Sequence, residues 1–487
     1  MNLKAVLNGI NGLKAKGNLE YDVVGIAHDS RKVQEGYMFV AIKGYETDGH
    51  KFIKQAIENG AKVIVVEDIS LIDKKDITSE ITLVVAENTR EALAKIACNF
   101  YNNPSKKFNL IGITGTKGKT TTTFMIKKVL EANSQKVGLI GTIANYIGDK
   151  NLGESMRTTP ESLELQELFS EMVKAKVDTV VMEVSSQSLK LHRVDGCDFN
   201  IGVFTNFSED HISPKEHPDM QDYFDSKLKL FEMCRKGYIN ADDFRVAKVK
   251  KLATKCDIKT YGIDNTADLI AKDITITNSS VDFKVKIGQR NERIKVGIPG
   301  RFSVYNSLAA LSVLQNFEAD VEKLKEALLE VRVPGRSELV SNKKELCIMI
   351  DYAHSPESLQ NILSAVKSYT RGRVISVFGC GGGRDPGKRP QMGEISGNIA
   401  DFTIITSDNP RTEEPELIVK QIEEGAKKTK GKYEVIVDRI EAIKYAINMA
   451  NKNDIIVLAG KGHETYQEIN GKKYPFDERE IIKKIIG

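Results

Sequence analysis

The run GITGTKGKTTTT, residues 112–123, stands between an apolar segment at 108–113 and the helix-forming TTTFMIKKVLEA. Glycines there let backbone N–H groups turn toward phosphate, Lys119 brings a cation to β and γ oxygens, and the Thr120 hydroxyl suits magnesium. In a strict Walker A loop four residues separate the first glycine from the GK pair. Here Gly112 lies one residue too far from Gly118, so the loop is the variant Gly115-Thr116-Lys117-Gly118-Lys119-Thr120. Its chemistry is nucleotide binding. A bound magnesium nucleotide calls for acidic or imidazole groups to complete the metal shell. Glu183 closes the strand-like VDTVVMEVSS, at the carboxyl edge where parallel sheets take their ligands, and His211 follows NIGVFTNFSEDH. The bland alternatives are a loop salt bridge for Glu183 and, just as compatible with the spacing, a solvated loop histidine for His211.

These groups need a scaffold, and 487 residues allow about three domains at roughly 150 residues each. With 41% hydrophobic and 28% charged residues the composition is that of a water-soluble globular protein. No apolar run approaches the roughly 18 residues that span a bilayer, so membrane insertion is excluded. The opening MNLKAVLNGINGLKAKG has no signal-peptide core, which makes the cytoplasm the expected compartment. A net charge of +4, without a basic block, implies no nucleic-acid partner. Six scattered cysteines form no CxxC pair and read as reduced thiols.

Strand-like and helix-like segments alternate throughout, an α/β pattern. Pro104 with Ser-Lys-Lys reads as a first linker and Val333-Pro334-Gly335 as a second boundary, giving domains 1–104, 105–333 and 334–487. The middle domain holds the phosphate loop in a wound sheet, with helices expected at 160–176, 304–314 and 321–330. Residues 259–295 read as irregular antiparallel structure. The last domain alternates strictly between strands at 346–350, 374–378, 402–406, 433–437 and 455–459 and helices at 356–369, 387–399, 415–428 and 439–452, which predicts a parallel, Rossmann-like sheet. GCGGGR at 379–384 lacks the third glycine spacing of GxGxxG, which argues against a dinucleotide fingerprint.

The ordered motifs GTKGKTTTT, EVSSQSL, TNFSEDH, YFDSKLKLF, GRFSVYNSLAA, PGRSE and DYAHSPESL resemble those of the Mur ligases, ATP-dependent amide synthases of peptidoglycan assembly related to folylpolyglutamate synthase. The resemblance covers nearly the whole chain and implies a three-domain Mur ligase architecture around a central P-loop ATPase-type sheet. It implies that Gly115 to Thr121, with Lys119 catalytic, serve ATP and that Thr120, Glu183 and His211 hold Mg2+. Asn306, Arg336 and Asp351 would hold adenine, phosphates and ribose. Lys227 matches the lysine that the family carbamylates, although spacing alone does not tell it from Lys229. A carbamate beside magnesium is an anionic oxygen ligand, whereas an ammonium is repelled.

The segment 28–61 is similar to the uridine-nucleotide domain of the branch that adds the third residue, a domain that folylpolyglutamate synthases lack. Ser30 and the GYETDG turn would meet the nucleotide. Thr158, Thr159, Ser185 and Arg193 match positions that take UDP-MurNAc-L-Ala-D-Glu, while Leu191 stands where some relatives have glutamine. Asp408-Asn409-Pro410-Arg411 resembles the signature for meso-diaminopimelate, with Arg384, Gly460 and Glu464 completing the contacts. Arg411 can grip the far carboxylate with two hydrogen bonds, and lysine would leave it unpaired. Lysine-adding and other Mur or folate-type ligases are the rival readings. As chemistry alone, Arg411 could instead be a solvated turn residue. The expectation is a cytoplasmic, monomeric ligase that passes through an acyl phosphate.

Overall fold

The computed structural model describes residues 1–487 apart from 46, 74, 76, 77, 211, 214 and 215 and the side chain of Glu154. Two compact units result: Met1–Asp268 with Ala309–Phe317, and Leu269–Leu308 with Glu318–Gly487.

The first unit contains two sheets. In the smaller, the strands run in the order Lys14–Lys16, Thr82–Val85, Val63–Val66, Tyr37–Val40, Gly25–Ala27, parallel except for the edge strand Lys14–Lys16. All four residues of Val63–Val66 are buried, as befits a strand covered on both faces. The helix Thr89–Phe100 starts at Asn88, whose side chain accepts from the N–H groups of Arg90 and Glu91. The expected linker at Pro104 is instead a packed 3-10 turn, Pro104–Lys107. Pro104 and Ser105 are buried there, and Ser105 Oγ accepts from Asp198 N–H at 3.2 Å.

The larger sheet places Asn109–Thr114 between Phe199–Phe204 and Thr179–Glu183. Outward from these lie Cys234–Asn240 and Asp257–Gly262 on one side and Val137–Ile140 on the other, all parallel. The antiparallel pair Ala144–Ile147 and Lys150–Glu154 follows Val137–Ile140. Because Glu183 is in register with Ile113, its carboxylate stands at the same sheet edge from which the phosphate loop leaves. Phe108, Phe169, Phe199, Phe204, Phe224 and Phe231 share the hydrophobic core beneath it.

The second unit holds a six-stranded sheet in the order Glu338–Val340, Cys347–Asp351, Ile455–Ala459, Val374–Phe378, Phe402–Ile405, Lys432–Val435. Only the first pair is antiparallel. Alternate strand residues face opposite cores. Met349, Val374 and Val457 pack under the helices Pro356–Tyr369, Lys388–Ile399 and Pro415–Ala426, and Ile348, Ile375 and Ile456 pack against Arg439–Met449 and Glu478–Ile486. This is the doubly wound, Rossmann-like arrangement that the alternation predicts.

The expectation for 259–295 needs correction. Asp257–Gly262 joins the parallel sheet of the first unit, and only Lys272–Ile276, Val281–Ile287 and Arg290–Val296 form an antiparallel set. The hairpin Tyr466–Ile469/Lys472–Pro475 and the helix Glu478–Ile486 are additions to the predicted elements. Among the described residues no helix is long and apolar enough to cross a membrane.

Candidate functional site

The phosphate loop is held by its neighbours. Gly115 has φ +140°, and a Cβ there would lie 1.9 Å from Thr205 Oγ1, so no other residue fits without rebuilding the loop. Gly118, at φ +85°, caps the helix Lys119–Ala132. Thr205 Oγ1 donates to the Lys117 carbonyl at 2.6 Å, and Asn206 takes the Lys117 N–H (2.9 Å) while donating to its carbonyl (3.0 Å). The TN pair of TNFSEDH therefore braces the loop, a role not foreseen from the motif. Thr116 and Thr121 are buried, and Lys117 Nζ pairs with Asp210 at 2.9 Å.

Lys119 Nζ donates to the carbonyls of Gly115 (2.9 Å) and Thr116 (3.0 Å), and Lys227 Nζ donates to the same Gly115 carbonyl at 2.9 Å. Lys227 is 1% exposed and lies 4.3 Å from the Tyr223 ring centroid, whereas Lys229 on the same turn is only half-buried. Burial, with the Lys119 cation close by, holds the Lys227 amine well below the ordinary lysine range. Glu183, 1% exposed, accepts from Thr120 Oγ1 (3.0 Å), Thr142 Oγ1 (3.1 Å) and Thr142 N–H (2.9 Å).

Thr120 and Glu183 thus offer hydroxyl and carboxylate oxygens at one point. Among the described residues no three His, Cys, Asp or Glu side chains cluster as a metal cage. That donor set fits Mg2+, which takes one or two protein oxygens and fills its shell with phosphate oxygens and water. His211 lies outside the described residues.

In the same unit, Thr158 Oγ1 lies 3.0 Å from Thr142 Oγ1. Thr159 is fully buried, its hydroxyl donating to the Glu183 carbonyl (2.9 Å) and accepting from Ser185 N–H (3.1 Å). Ser185 Oγ caps the short helix Ser186–Lys190. Arg193 pairs with Glu161 at 2.9 Å and donates to the Thr159 carbonyl at 3.3 Å, while its buried Nε has no hydrogen-bond partner among the described residues. Leu191 follows that helix as its C-cap. Ser30 is buried and donates to Gln55 Oε1 at 2.8 Å; the GYETDG turn includes Glu46, which lies outside the described residues.

In the second unit, Arg384, Asp408, Asn409, Arg411, Gly460 and Glu464 line one cavity of about 320 Å³, the size of a small-molecule site. Strand ends bring them together: Asp408 follows Phe402–Ile405 and Gly460 follows Ile455–Ala459. Gly460 has φ +113°, and a Cβ there would lie 2.6 Å from Asp408 Oδ2. Asn409 donates to Glu464 at 2.8 Å and accepts from Lys461 Nζ at 3.1 Å. Burial raises the Glu464 carboxyl above its usual range, against the pull of Lys461. Pro410 is buried, with its carbonyl accepting from Glu413 N–H at 3.0 Å.

Arg411 is not an unpaired guanidinium. Its Nε donates to Glu468 Oε2 at 3.1 Å and its Nη1 to the Gly382 carbonyl at 2.6 Å. The expectation that an amino acid without a far carboxylate leaves this arginine without partners is therefore corrected.

Tyr352, His354 and Lys388 also line the cavity, and Lys461 is completely buried behind it; none was singled out from sequence, although DYAHSPESL and AGKGHE contain three of them. Arg336 stacks on the Tyr352 ring at 4.7 Å. Asp351 accepts from the N–H groups of Ser337 (2.7 Å) and Ala353 (2.9 Å), and burial raises its carboxyl. Asn306 is buried on the helix Arg301–Leu314. Behind the cavity Arg439 donates to Glu478 (2.8 Å), the Ala459 carbonyl (2.9 Å) and the Ser407 carbonyl (3.4 Å), tying both strand ends to the last helix.

Family models match three consecutive stretches: "Mur ligase family, catalytic domain" at 22–101, "Mur ligase middle domain" at 113–314 and "Mur ligase, glutamate ligase domain" at 335–462. The chain belongs to the Mur ligase family. A relative from Caldanaerobacter subterraneus subsp. tengcongensis is 50% identical, the match covering 100% of this chain and 99% of the relative. One from Clostridium botulinum is 46% identical over 100% and 99%. Both are named UDP-N-acetylmuramoyl-L-alanyl-D-glutamate–2,6-diaminopimelate ligase. A solved structure of that name superposes with a TM-score of 0.73 at 30% identity, covering 100% of this Mur ligase and 98% of that chain. Folylpolyglutamate synthase from Mycobacterium tuberculosis shares the fold (TM-score 0.61, 16% identity, 76% of this chain and 92% of that one).

Proposed function

We propose that this chain is an ATP-dependent ligase of peptidoglycan synthesis that joins meso-diaminopimelate to the D-Glu side-chain carboxylate of UDP-MurNAc-L-Ala-D-Glu. The observation that carries the choice of amino acid is the single cavity combining Arg411 and Arg384 with the carboxyl groups of Asp408 and Glu464. Meso-diaminopimelate has a carboxylate and an ammonium at each end, so it needs cationic and anionic partners at its far end. Lysine lacks the far carboxylate.

In the reaction, the γ-phosphoryl group of ATP passes to a carboxylate oxygen of the D-Glu side chain and ADP leaves. The amine nitrogen of diaminopimelate then attacks the carbonyl carbon, loses a proton, and the C–O bond to phosphate breaks. The residues here position and neutralise. Backbone N–H groups of the loop and Lys119 take the phosphates; on binding ATP, Lys119 exchanges its carbonyl partners for phosphate oxygens. Thr120 and Glu183, with His211, would hold Mg2+, which when bound neutralises charge on the β and γ oxygens. Thr158, Thr159, Ser185 and Arg193 are assigned to the nucleotide substrate. Asn306, Arg336 and Asp351 are assigned to adenine, phosphate and ribose.

Lys227 is assigned as a carbamate. A neutral amine adds to CO2, forming an N–C bond and releasing one proton, and its burial and depressed basicity favour that neutral form. The three domains are taken as 1–104, 105–333 and 334–487, in a monomeric, cytoplasmic enzyme.

The deciding experiment measures phosphate release and product mass with diaminopimelate and with lysine, each in the presence of the dipeptide nucleotide. Turnover with diaminopimelate at least a hundred-fold more efficient than with lysine is expected, on the order of a charge-paired hydrogen-bonding site. Comparable turnover overturns the assignment to diaminopimelate.

A further inference from the structure

The hairpin Tyr466–Ile469/Lys472–Pro475 lies outside the cavity lining, yet it is bonded residue by residue to the Asp408–Arg411 stretch. Gln467 Nε2 donates to the Asp408 carbonyl at 2.7 Å, and Glu468 N–H donates to Asn409 Oδ1 at 2.9 Å. Arg411, at φ +53°, donates its N–H to the Glu468 carbonyl at 3.0 Å and accepts from Asn470 N–H at 2.6 Å. Upon this backbone pairing sits the side-chain contact from Arg411 Nε to Glu468 Oε2, 3.1 Å.

A guanidinium has five N–H groups and can take a carboxylate along its Nε–Nη edge or along its terminal Nη1–Nη2 edge. We infer that Glu468 is a positioning residue for amino-acid selection: it caps the Nε edge of Arg411 from outside the cavity, so that the terminal edge is presented to the far carboxylate of the incoming amino acid. Gly382, whose carbonyl accepts from Nη1 at 2.6 Å, steadies the other side of the same plane. Both partners are about a quarter exposed, at 28% and 27%, so their pairing is accessible to substitution without opening the core. The inference deepens the diaminopimelate reading and rests on it.

Two substitutions separate the parts of this role. Glu468→Gln keeps an oxygen acceptor for Nε and removes the charge; Glu468→Ala removes both. Comparing the two variants therefore isolates the tether from the charge. The expected result is a KM for diaminopimelate about ten-fold higher in Glu468→Ala than in Glu468→Gln, the effect of one hydrogen bond to a charged group. kcat and the KM values for ATP and for the nucleotide substrate should be the same in both. In an Arg411→Ala background the two substitutions should give one and the same diaminopimelate KM. Equal KM values in the parent background, or a ten-fold difference that persists without Arg411, overturns the inference. Failure of the underlying reading shows separately, as absence of diaminopimelate-dependent turnover in the unaltered enzyme.

Discussion

Arg439 and Glu478 form an ion pair whose side chains are 0% and 1% exposed. Arg439 also holds the carbonyls of Ser407 and Ala459, which immediately precede Asp408 and Gly460 of the cavity proposed for the amino acid. Replacing Arg439 with alanine strands the Glu478 carboxylate in the interior, where its Oε2 already lacks a partner among the described residues, and releases both strand ends. Breaking a buried pair by removing one member costs about 3 to 5 kcal/mol. At the urea sensitivity of a unit this size the midpoint should fall by about 1 to 2 M, read by far-UV circular dichroism. A second variant, Arg439→Met with Glu478→Leu, replaces the pair with apolar side chains of similar volume and should recover most of the stability. It cannot bond the two carbonyls, so its KM for diaminopimelate should stay raised. An unchanged urea midpoint for Arg439→Ala would refute the energetic argument. Recovery of KM together with stability in the double variant would refute the positioning one.

Gly115→Ala should abolish ATP binding in calorimetry while Gly153→Ala, at an exposed position of the strand Lys150–Glu154 with open space around it, leaves binding intact; binding by Gly115→Ala would show that the loop can be rebuilt. Lys227→Ala should lose turnover and regain part of it with added short carboxylates, and full activity without them would remove the carbamate from the mechanism. Burial and the nearby Arg336 and Arg479 lower His463 to about 4, whereas an unfolded histidine titrates near 6.5. The neutral folded form is therefore favoured above pH 6.5, and up to about 3 kcal/mol of stability drains away as pH falls from there toward 4. His463→Asn should flatten that slope in urea titrations, and an unchanged slope would locate the acid sensitivity elsewhere.

Much of the scaffold was legible because continuous apolar strand runs, buried on both faces, and helix punctuation agree in the second unit. Ile455–Ala459 and Pro356–Tyr369 match their expected bounds, the helix being opened by Ser355 and Pro356. Strand pairing was less legible: residues 257–262 carry no local mark that distinguishes a parallel edge strand from an antiparallel one, because the partner is set by the whole sheet. The hairpin did carry a signal. Asn470 and Gly471, both at positive φ, form the tight turn that an Asn-Gly pair between strands predicts. At the site, the resemblance to family motifs pointed to Arg411, Glu464 and Lys227, but partners distant in sequence decided their states. Glu468 tethers Arg411 across 57 positions, and Gly115, 112 positions before Lys227, supplies the carbonyl that its buried amine meets.

The second strand of the hairpin, Lys472–Pro475, is exposed along its whole length. A two-stranded ribbon of this kind contributes little to the doubly wound core and has little stability of its own. Its sequence can therefore drift with small effect on folding, while a change at Glu468 alters the contact that holds the Arg411 guanidinium. On the role proposed for Arg411, substrate preference is open to alteration from a peripheral ribbon, without touching the cavity wall, which makes the hairpin a first place to randomise when a different amino acid is wanted in the product.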